Sequence, residues 1–201
     1  MPIPECIIRL MDTTVPIILA SASPRRRELL TAAGFPFDVV VADVDESVIA
    51  GERPDEYVRR VARMKAQAVS RDRPDALVLG ADTTVVIDGD VLAKPADDEE
   101  AARMLQRLSG REHVVLTGVA AISPMGESEA VAETRVWMRA LTDAEIREYV
   151  RSGEPRDKAG AYAIQGLASR FISRIEGEYT NVVGLPIAVV DSLLRELRVV
   201  S

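Results

Sequence analysis

Cysteine and histidine are almost missing from this chain: Cys6 and His113 are the single representatives of their types. One thiol excludes an intrachain disulfide framework and a thiolate zinc cluster, and one imidazole excludes a His-rich metal site and Cys/His nucleophilic catalysis. A reducing cytoplasm is the compartment that such a composition fits. Aromatic residues make up 4 % of the chain and form no platform on which bases could stack. Cations are in deficit as well, since 25 Lys and Arg stand against 32 Asp and Glu, a net charge of −7. A protein that wraps duplex nucleic acid neutralises many phosphates, so neither that role nor an RNA-binding module is expected, whereas a local basic pocket is compatible. Long hydrophobic runs are absent too. Residues 1–14 hold Ile7-Ile8 among Glu5, Arg9 and Asp12, which is neither a signal peptide nor a membrane span.

What is present is the balance of a globular domain: 201 residues, 47 % hydrophobic and 28 % charged, enough to bury a core without staples. We read residues 1–14 as an N-terminal extension and 15–201 as one domain. A strand over 17–20 leads through Ser21-Ala22-Ser23-Pro24 into a helix, with Ser23 at the N-cap, Pro24 at the first helical position and Gly34 past the end. Further helices are expected over 54–70, from Asp97 to Gly110 with Glu100 closing a capping box, from Thr142 with Glu145 to Gly153, and over 186–198. Strands are expected at 37–41, 77–79, 84–87, 114–122 and 130–140, with turns at Asp88-Gly89-Asp90 and Pro124-Met125-Gly126. This alternation predicts an α/β domain around a mixed, bent sheet flanked by helices, with two lobes and a central cleft.

Several residues break the rules of packing. The segment GEPRDKAGAYAIQG at 153–166 combines two acids, two bases, a Gln and three glycines without amphipathic period, so it reads as a site or as a solvated connection. Arg25, Arg26 and Arg27 crowd the first turn of the first helix, where the macrodipole favours anions. Free backbone N–H groups and forked guanidiniums make that helix start a phosphate cradle, with Arg27 the most dispensable of the three. In the helix over 54–70, Val58, Val61, Ala62, Ala68 and Val69 form the apolar stripe, with Arg59, Arg60, Arg63 and Gln67 opposite, yet Lys65 falls inside the stripe. It either snorkels or meets an anion in a cleft, and the cleft is the reading adopted. Asp82 interrupts a small, apolar run and needs a partner; it fits a divalent-metal ligand, a base that deprotonates water, or a cap on a turn at Gly80-Ala81. With Asp45, Glu46 and Lys94, these residues supply cations for phosphate oxygens and carboxylates for a metal, the parts that phosphoryl transfer requires. Trp137 reads as packing between Val136 and Met138, and His113 as a hydrogen-bonded structural residue.

The ordered set SASPRR at 21–26, DES at 45–47, KA after Met64, LGADT at 79–83, KP at 94–95, LSG at 108–110, TGV at 117–119, GEPRDKAGAYAIQG at 153–166 and NVVGLP at 181–186 resembles the Maf family of nucleoside triphosphate pyrophosphatases. The resemblance runs from Ile17 through the last helix. It implies a Maf/ITPase-like fold and hydrolysis between the α and β phosphates, with Mg2+ or Mn2+ as cofactor. It also implies Asp82 as proton acceptor, Glu46 and Asp82 around the metal, Ser21, Arg25, Arg26, Lys65 and Lys94 around the phosphates, and a dimer at family level. Arg25, Thr83 after Asp82, and Gln165 look like the branch acting on dTTP and UTP; the branch acting on 7-methyl-GTP carries Gln after the equivalent Asp. The Gln165 amide both donates and accepts, as a pyrimidine edge requires, and modified pyrimidines also fit such a pocket. Trp137, where a smaller aromatic is usual, and residues 1–14 depart from the family pattern. The competing reading is a nucleotide-binding regulator, for example of cell division, that does not hydrolyse.

Overall fold

One long strand organises the sheet. The computed structural model describes residues 13–200, so the extension is visible at Thr13, which bridges to Val200, and Thr14, while residues 1–12 lie outside the described part. In chain order the elements are β1 (Ile17–Leu19), α1 (Pro24–Ala32), β2 (Asp38–Val39), α2 (Pro54–Ser70), β3 (Leu77–Ile87), β4 (Asp90–Leu92), α3 (Asp98–Leu108), β5 (Glu112–Ser123), β6 (Gly126–Met138), α4 (Asp143–Arg151), β7 (Ile172–Glu176), α5 (Tyr179–Val183) and α6 (Ile187–Glu196). Three 3-10 turns, Glu154–Asp157, Ala159–Ala161 and Leu167–Phe171, carry the chain from α4 to β7.

Among the described residues seven strands form one mixed sheet in the order β2-β1-β3-β5-β6-β7, with β4 added to β3. β1 runs parallel to β2 and β3, and the other pairings are antiparallel. β3 pairs with β5 from Val78 to Val86, whereas its other edge pairs with β1 over residues 77–79 and with β4 over 85–87. Between those two short neighbours the edge is open. This gap in the middle of β3 is where the cleft lies.

The alternation of β3 puts its residues on two faces. α2 covers one, packing Ala62, Ala66 and Val69 on Val78 and Ala120, and Val58 and Val61 on Leu116. The opposite face carries two separate cores. Leu19, Leu30, Leu79, Val119 and Leu194 join α1 and α6 at one end, while Val85, Leu105, Val115, Tyr149 and Phe171 join α3 and α4 at the other. These are the two expected lobes.

Two glycines let α2 lie directly on the sheet. A Cβ on Gly80 would stand 2.1 Å from the Ala62 carbonyl oxygen, and one on Gly118 would stand 2.3 Å from that of Val58. Gly118 is the cross-strand partner of Asp82. The expected break between two strands at 80–83 is therefore wrong: Gly80 is small for helix contact and not for a turn, and Ala81 faces the other way, into the core of Leu19, Leu79 and Val119. Asp82 sits inside a continuous strand, and its reading as a turn cap falls with the turn.

Other differences have local causes. Ser23 occupies the N-cap of α1 but makes no side-chain cap; its amide instead donates to Ser21 Oγ at 3.2 Å. Asp97 accepts from the Glu100 amide at 2.7 Å, but the Glu100 carboxylate turns to the Ala96 amide at 2.6 Å, one residue short of a closed box. Thr142 and Glu145 form theirs in full, and α4 ends at Arg151, before Gly153. Ala68 is half-buried, and Ala66 takes its place in the stripe. Trp137 points away from Val136 and Met138 and stacks under the Arg174 guanidinium, 4.5 Å from its ring centre. β7 and α5 were not expected from the sequence. No described helix is long and apolar enough to cross a membrane.

His113 is structural, as expected. It is 2 % exposed, its Nε2 meets the Tyr162 hydroxyl at 2.8 Å, and its Nδ1 has no partner. Burial lowers its pKa to about 4.

Two predictions follow from these contacts. Gly118→Ala should destabilise the protein by about 1–3 kcal/mol, read from urea unfolding, because the added methyl meets helix backbone rather than a movable side chain. For His113, the unfolded imidazole takes up a proton below pH 6.5 or so and the folded one below about 4. Its neutral state therefore supports folding fully above pH 6.5, and that support declines by up to about 3 kcal/mol as pH falls toward 4. Unfolding midpoints measured across this window should show the decline in the native protein and a shallower one in His113→Gln; equal slopes would refute the assignment.

Candidate active site

The cleft opens where β1 and β4 part along β3, and it encloses about 310 Å³. Five cations line it, Arg25, Arg26, Lys65, Lys94 and Lys158, together with three carboxylates, Glu46, Asp82 and Asp157. The surplus is positive although the whole chain is at −7. Val115, Tyr162, Val182 and Val183 give the opposite wall an apolar surface.

Lys65 is the centre of the charged group. Its ammonium lies 2.8 Å from Asp82 Oδ1 and 2.9 Å from Glu46 Oε1. The side chains of Lys65 and Asp82 are each 8 % exposed, so both are withdrawn from water and depend on each other. Snorkelling is excluded. Burial pushes the Glu46 carboxyl up, but the Lys65 hydrogen bond and the charges of Lys65, Lys94 and Arg26 outweigh it and hold the group below its ordinary value. α2 also fixes the loop that carries Glu46. The Tyr57 hydroxyl donates to the Glu46 carbonyl at 3.1 Å, and Arg60 donates to the Ser47 carbonyl at 2.9 Å while pairing with Glu52. Asp45 faces away from this group and caps Ser47.

Arg26 does a different job from the one its position in the first turn of α1 implies. Its Nε donates to the Gly184 carbonyl, its Nη1 to Ser21 Oγ and the Ala81 carbonyl, and its Nη2 to Thr83 Oγ1, at 2.8, 3.1, 2.8 and 3.1 Å. Four of the five N–H donors of a guanidinium are thus committed to the protein, leaving one for a ligand. Burial lowers its pKa, against the pull of Asp82 and Glu46. Thr83 is committed as well: its hydroxyl accepts from Arg26 and contacts Thr117 Oγ1 and the Gly184 carbonyl, so it acts on the cleft through Arg26. Ser21 lines the floor and is buried.

The remaining residues stand at the rim. Lys94 and Gln165 are exposed, and Lys94 makes no ion pair among the described residues. Arg25 pairs with Asp157 at 3.0 Å, and Arg27 is solvated as expected. Of the residues singled out from the sequence, Ser21, Arg25, Arg26, Glu46, Lys65, Asp82, Thr83, Lys94 and Gln165 line this one cleft, whereas Asp45 and Arg27 do not.

Tyr57, Tyr149 and Glu154 support the site and were not singled out. The Tyr149 hydroxyl donates to Glu154 Oε1 at 2.7 Å and accepts from the Ala163 amide at 3.1 Å; Glu154 Oε2 accepts from the Leu167 amide at 2.9 Å. A Cβ on Gly166 would fall 2.3 Å from that carboxylate, which explains a glycine next to Gln165. The signal was an acid and a glycine in one non-periodic segment that holds two acids and three glycines, and spacing alone could not pair them.

The buried pair generates a cycle of variants. Lys65→Met leaves Asp82 without its partner and should cost about 3–5 kcal/mol in chemical unfolding. Adding Asp82→Asn removes the stranded charge and should restore most of the loss. A double variant no more stable than Lys65→Met would contradict the coupling.

Comparison with known proteins agrees with this geometry. The model of the Maf family, described as Maf-like protein, matches residues 16–197. A dTTP/UTP pyrophosphatase of Symbiobacterium thermophilum is 56 % identical over 173 residues, 85 % of this chain and 88 % of that protein. Proteins of the same name from Koribacter versatilis and Vibrio parahaemolyticus are 52 % and 48 % identical, over 89 % and 92 % of this chain and 93 % and 99 % of their own. Identity at this level over nearly the full length, together with a cleft lined by residues from seven of the sequence motifs, leaves one conclusion: the chain belongs to the Maf family.

Proposed function

We propose that this protein hydrolyses dTTP and UTP, and modified pyrimidine nucleotides of similar shape, to the monophosphate and pyrophosphate. The observation that carries the reading is Lys65 bridging Asp82 and Glu46 at the floor of a cation-rich cleft, in a chain about half identical to proteins named for this activity.

The chemistry requires water to attack the α phosphorus, the bond from that phosphorus to the bridging oxygen to break, and pyrophosphate to leave with the bridging oxygen. Asp82 takes the proton of the attacking water. Lys65 holds Asp82 Oδ1 and so fixes which way the carboxylate faces. Arg25, Lys94 and the last donor of Arg26 meet the phosphate oxygens, a placement in which cations stabilise developing charge without forming a covalent bond.

A divalent cation fits this donor set. No three His, Cys, Asp or Glu side chains among the described residues form a cage, but Glu46 Oε1 and Asp82 Oδ1 both meet Lys65 Nζ, which brings the two carboxylates side by side at the cleft floor. One or two carboxylates completed by substrate phosphates are what Mg2+ ordinarily takes. Glu46 and Asp82 would hold it, and the chemistry it would supply is neutralisation of phosphate charge and polarisation of the scissile linkage. At the rim, the Gln165 amide faces the nucleobase as both donor and acceptor, and the apolar wall of Val182 and Val183 receives the pyrimidine face.

Asp82→Asn should lower pyrophosphate release from dTTP by about 10²–10⁴-fold, with a single cooperative unfolding transition at a lower midpoint because Lys65 keeps only Glu46 as a charged partner. The assay is a panel of pyrimidine and purine triphosphates with Mg2+ or Mn2+, with chelation as the metal-free control. Undiminished turnover in Asp82→Asn would remove Asp82 from the reaction, and absence of turnover in the native protein would favour a regulator that binds nucleotide without cleaving it.

A further inference from the structure

Asp157 is the anion that Arg25 meets in this structure. Its Oδ2 accepts from Arg25 Nη1 at 3.0 Å, its backbone carbonyl accepts from Arg25 Nη2 at 3.3 Å, and its Oδ1 accepts from the Lys158 ammonium. Lys158 is further held by the Glu154 carbonyl at 2.7 Å. All three residues line the same cleft as Lys65, Asp82 and Glu46. The first turn of α1 contains no acidic residue, so the anion that meets Arg25 comes from the far side of the cleft, 132 positions along the chain.

The exposure of the partners separates this contact from the pair at the cleft floor. The Asp157 side chain is 62 % exposed, whereas Arg25 is 23 % exposed and Lys158 14 %. The cations are recessed and the carboxylate is not, so the carboxylate is free to swing into water while the cations stay. Burial opposes its charge, but the hydrogen bonds from Lys158 and Arg25 hold the carboxyl below its ordinary value. A contact this exposed contributes little to stability. Its weight falls instead on whatever else approaches Arg25.

We propose that Asp157 is an internal counter-anion that occupies the cationic mouth of the cleft between turnovers, and that an entering polyphosphate must displace it from Arg25. The residue thereby limits how tightly the cleft holds both the triphosphate and the departing pyrophosphate. The cost of displacement is shared by substrate and product, so its effect is on affinity and release rather than on the bond-breaking step. This inference rests on the reading of Arg25 as a phosphate ligand.

Direct calorimetric titration of the full-length protein with pyrophosphate tests it without requiring turnover. Asp157→Asn keeps the side-chain shape, removes the competing charge, and should bind pyrophosphate about threefold to fivefold more tightly. In steady state the same variant should show a lower KM for dTTP and stronger inhibition by pyrophosphate, with kcat unchanged or lower. In an Arg25→Gln background the gain should vanish, because the carboxylate then has no guanidinium to release. Asp157→Ser serves as a second variant and should behave like Asp157→Asn, with circular dichroism confirming the fold of each. Pyrophosphate binding that is unchanged or weaker in both variants, or a gain that persists without Arg25, would overturn the inference. No binding of pyrophosphate or dTTP to the native protein would remove the phosphate reading and this inference with it.

Discussion

The ion pair between Lys65 and Asp82 exists because a helix lies unusually close to a sheet. Two charges taken out of water are stable together only when their geometry is good, and a lysine side chain spans a limited distance. Gly80 and Gly118, neighbours across β3 and β5 in the register that places Asp82 opposite Gly118, remove the methyl groups that would hold α2 away. Small residues in a strand are usually a weakness, since they pack little and lose entropy. Here they set the height of α2, and α2 in turn sets Lys65, Tyr57 and Arg60. Because Tyr57 and Arg60 hold the backbone of Glu46 and Ser47, one helix brings Glu46 to the same ammonium that pairs with Asp82.

Arg26 solves a second problem raised by the same strand. With β1 paired to its start and β4 to its end, β3 leaves backbone polar groups without a strand neighbour in between. The Arg26 guanidinium reaches the Ala81 carbonyl there and also collects Gly184, Ser21 and Thr83. An arginine can do this because its planar donors point in fixed directions and it stays charged when buried. Thr83 passes the constraint on to Thr117, Thr117 to the Asn181 carbonyl, and the Asn181 amide to Thr134 on β6. The gap is thereby kept open and rigid at once, which is what a preformed pocket for a charged ligand needs.

Much of this was legible in the sequence, and the reason differs from element to element. Helices with a clear stripe or a capping pair, α2 and α4, were found within two residues, and Lys65 and Asp82 stood out because each contradicted the apolar run around it. Residues that act through a partner gave weaker signals. Gly80 and Gly118 carried no visible reason for being small until a helix backbone was found above them, and reading Gly80 as a break split β3 in two. Arg26 was rightly placed in the cleft, but nothing in its neighbours along the chain shows that Ala81 and Gly184, distant in sequence, take most of its donors. Glu154 and Tyr149 meet across a helix end through hydrogen bonds that no periodicity encodes. β7 is short, with alternating charges and no strong turn before it, so its strand character comes from pairing with β6 rather than from its own residues.

The charge distribution explains how an acidic protein can hold a polyanion. At physiological salt the field of an exposed carboxylate fades within about 8 Å, so acids elsewhere on the surface hardly reach the floor of the cleft. A small triphosphate meets the local surplus of five cations over three carboxylates instead. Under the proposed function the triphosphate arrives with a divalent cation, and Glu46 and Asp82 would be the carboxylates that meet it. After cleavage the balance changes. The monophosphate has lost the β and γ phosphates and with them about half of the negative charge, while the carboxylates beside it remain. The arrangement that grips the intact substrate is therefore poorly matched to the nucleotide product, and the mismatch favours its departure.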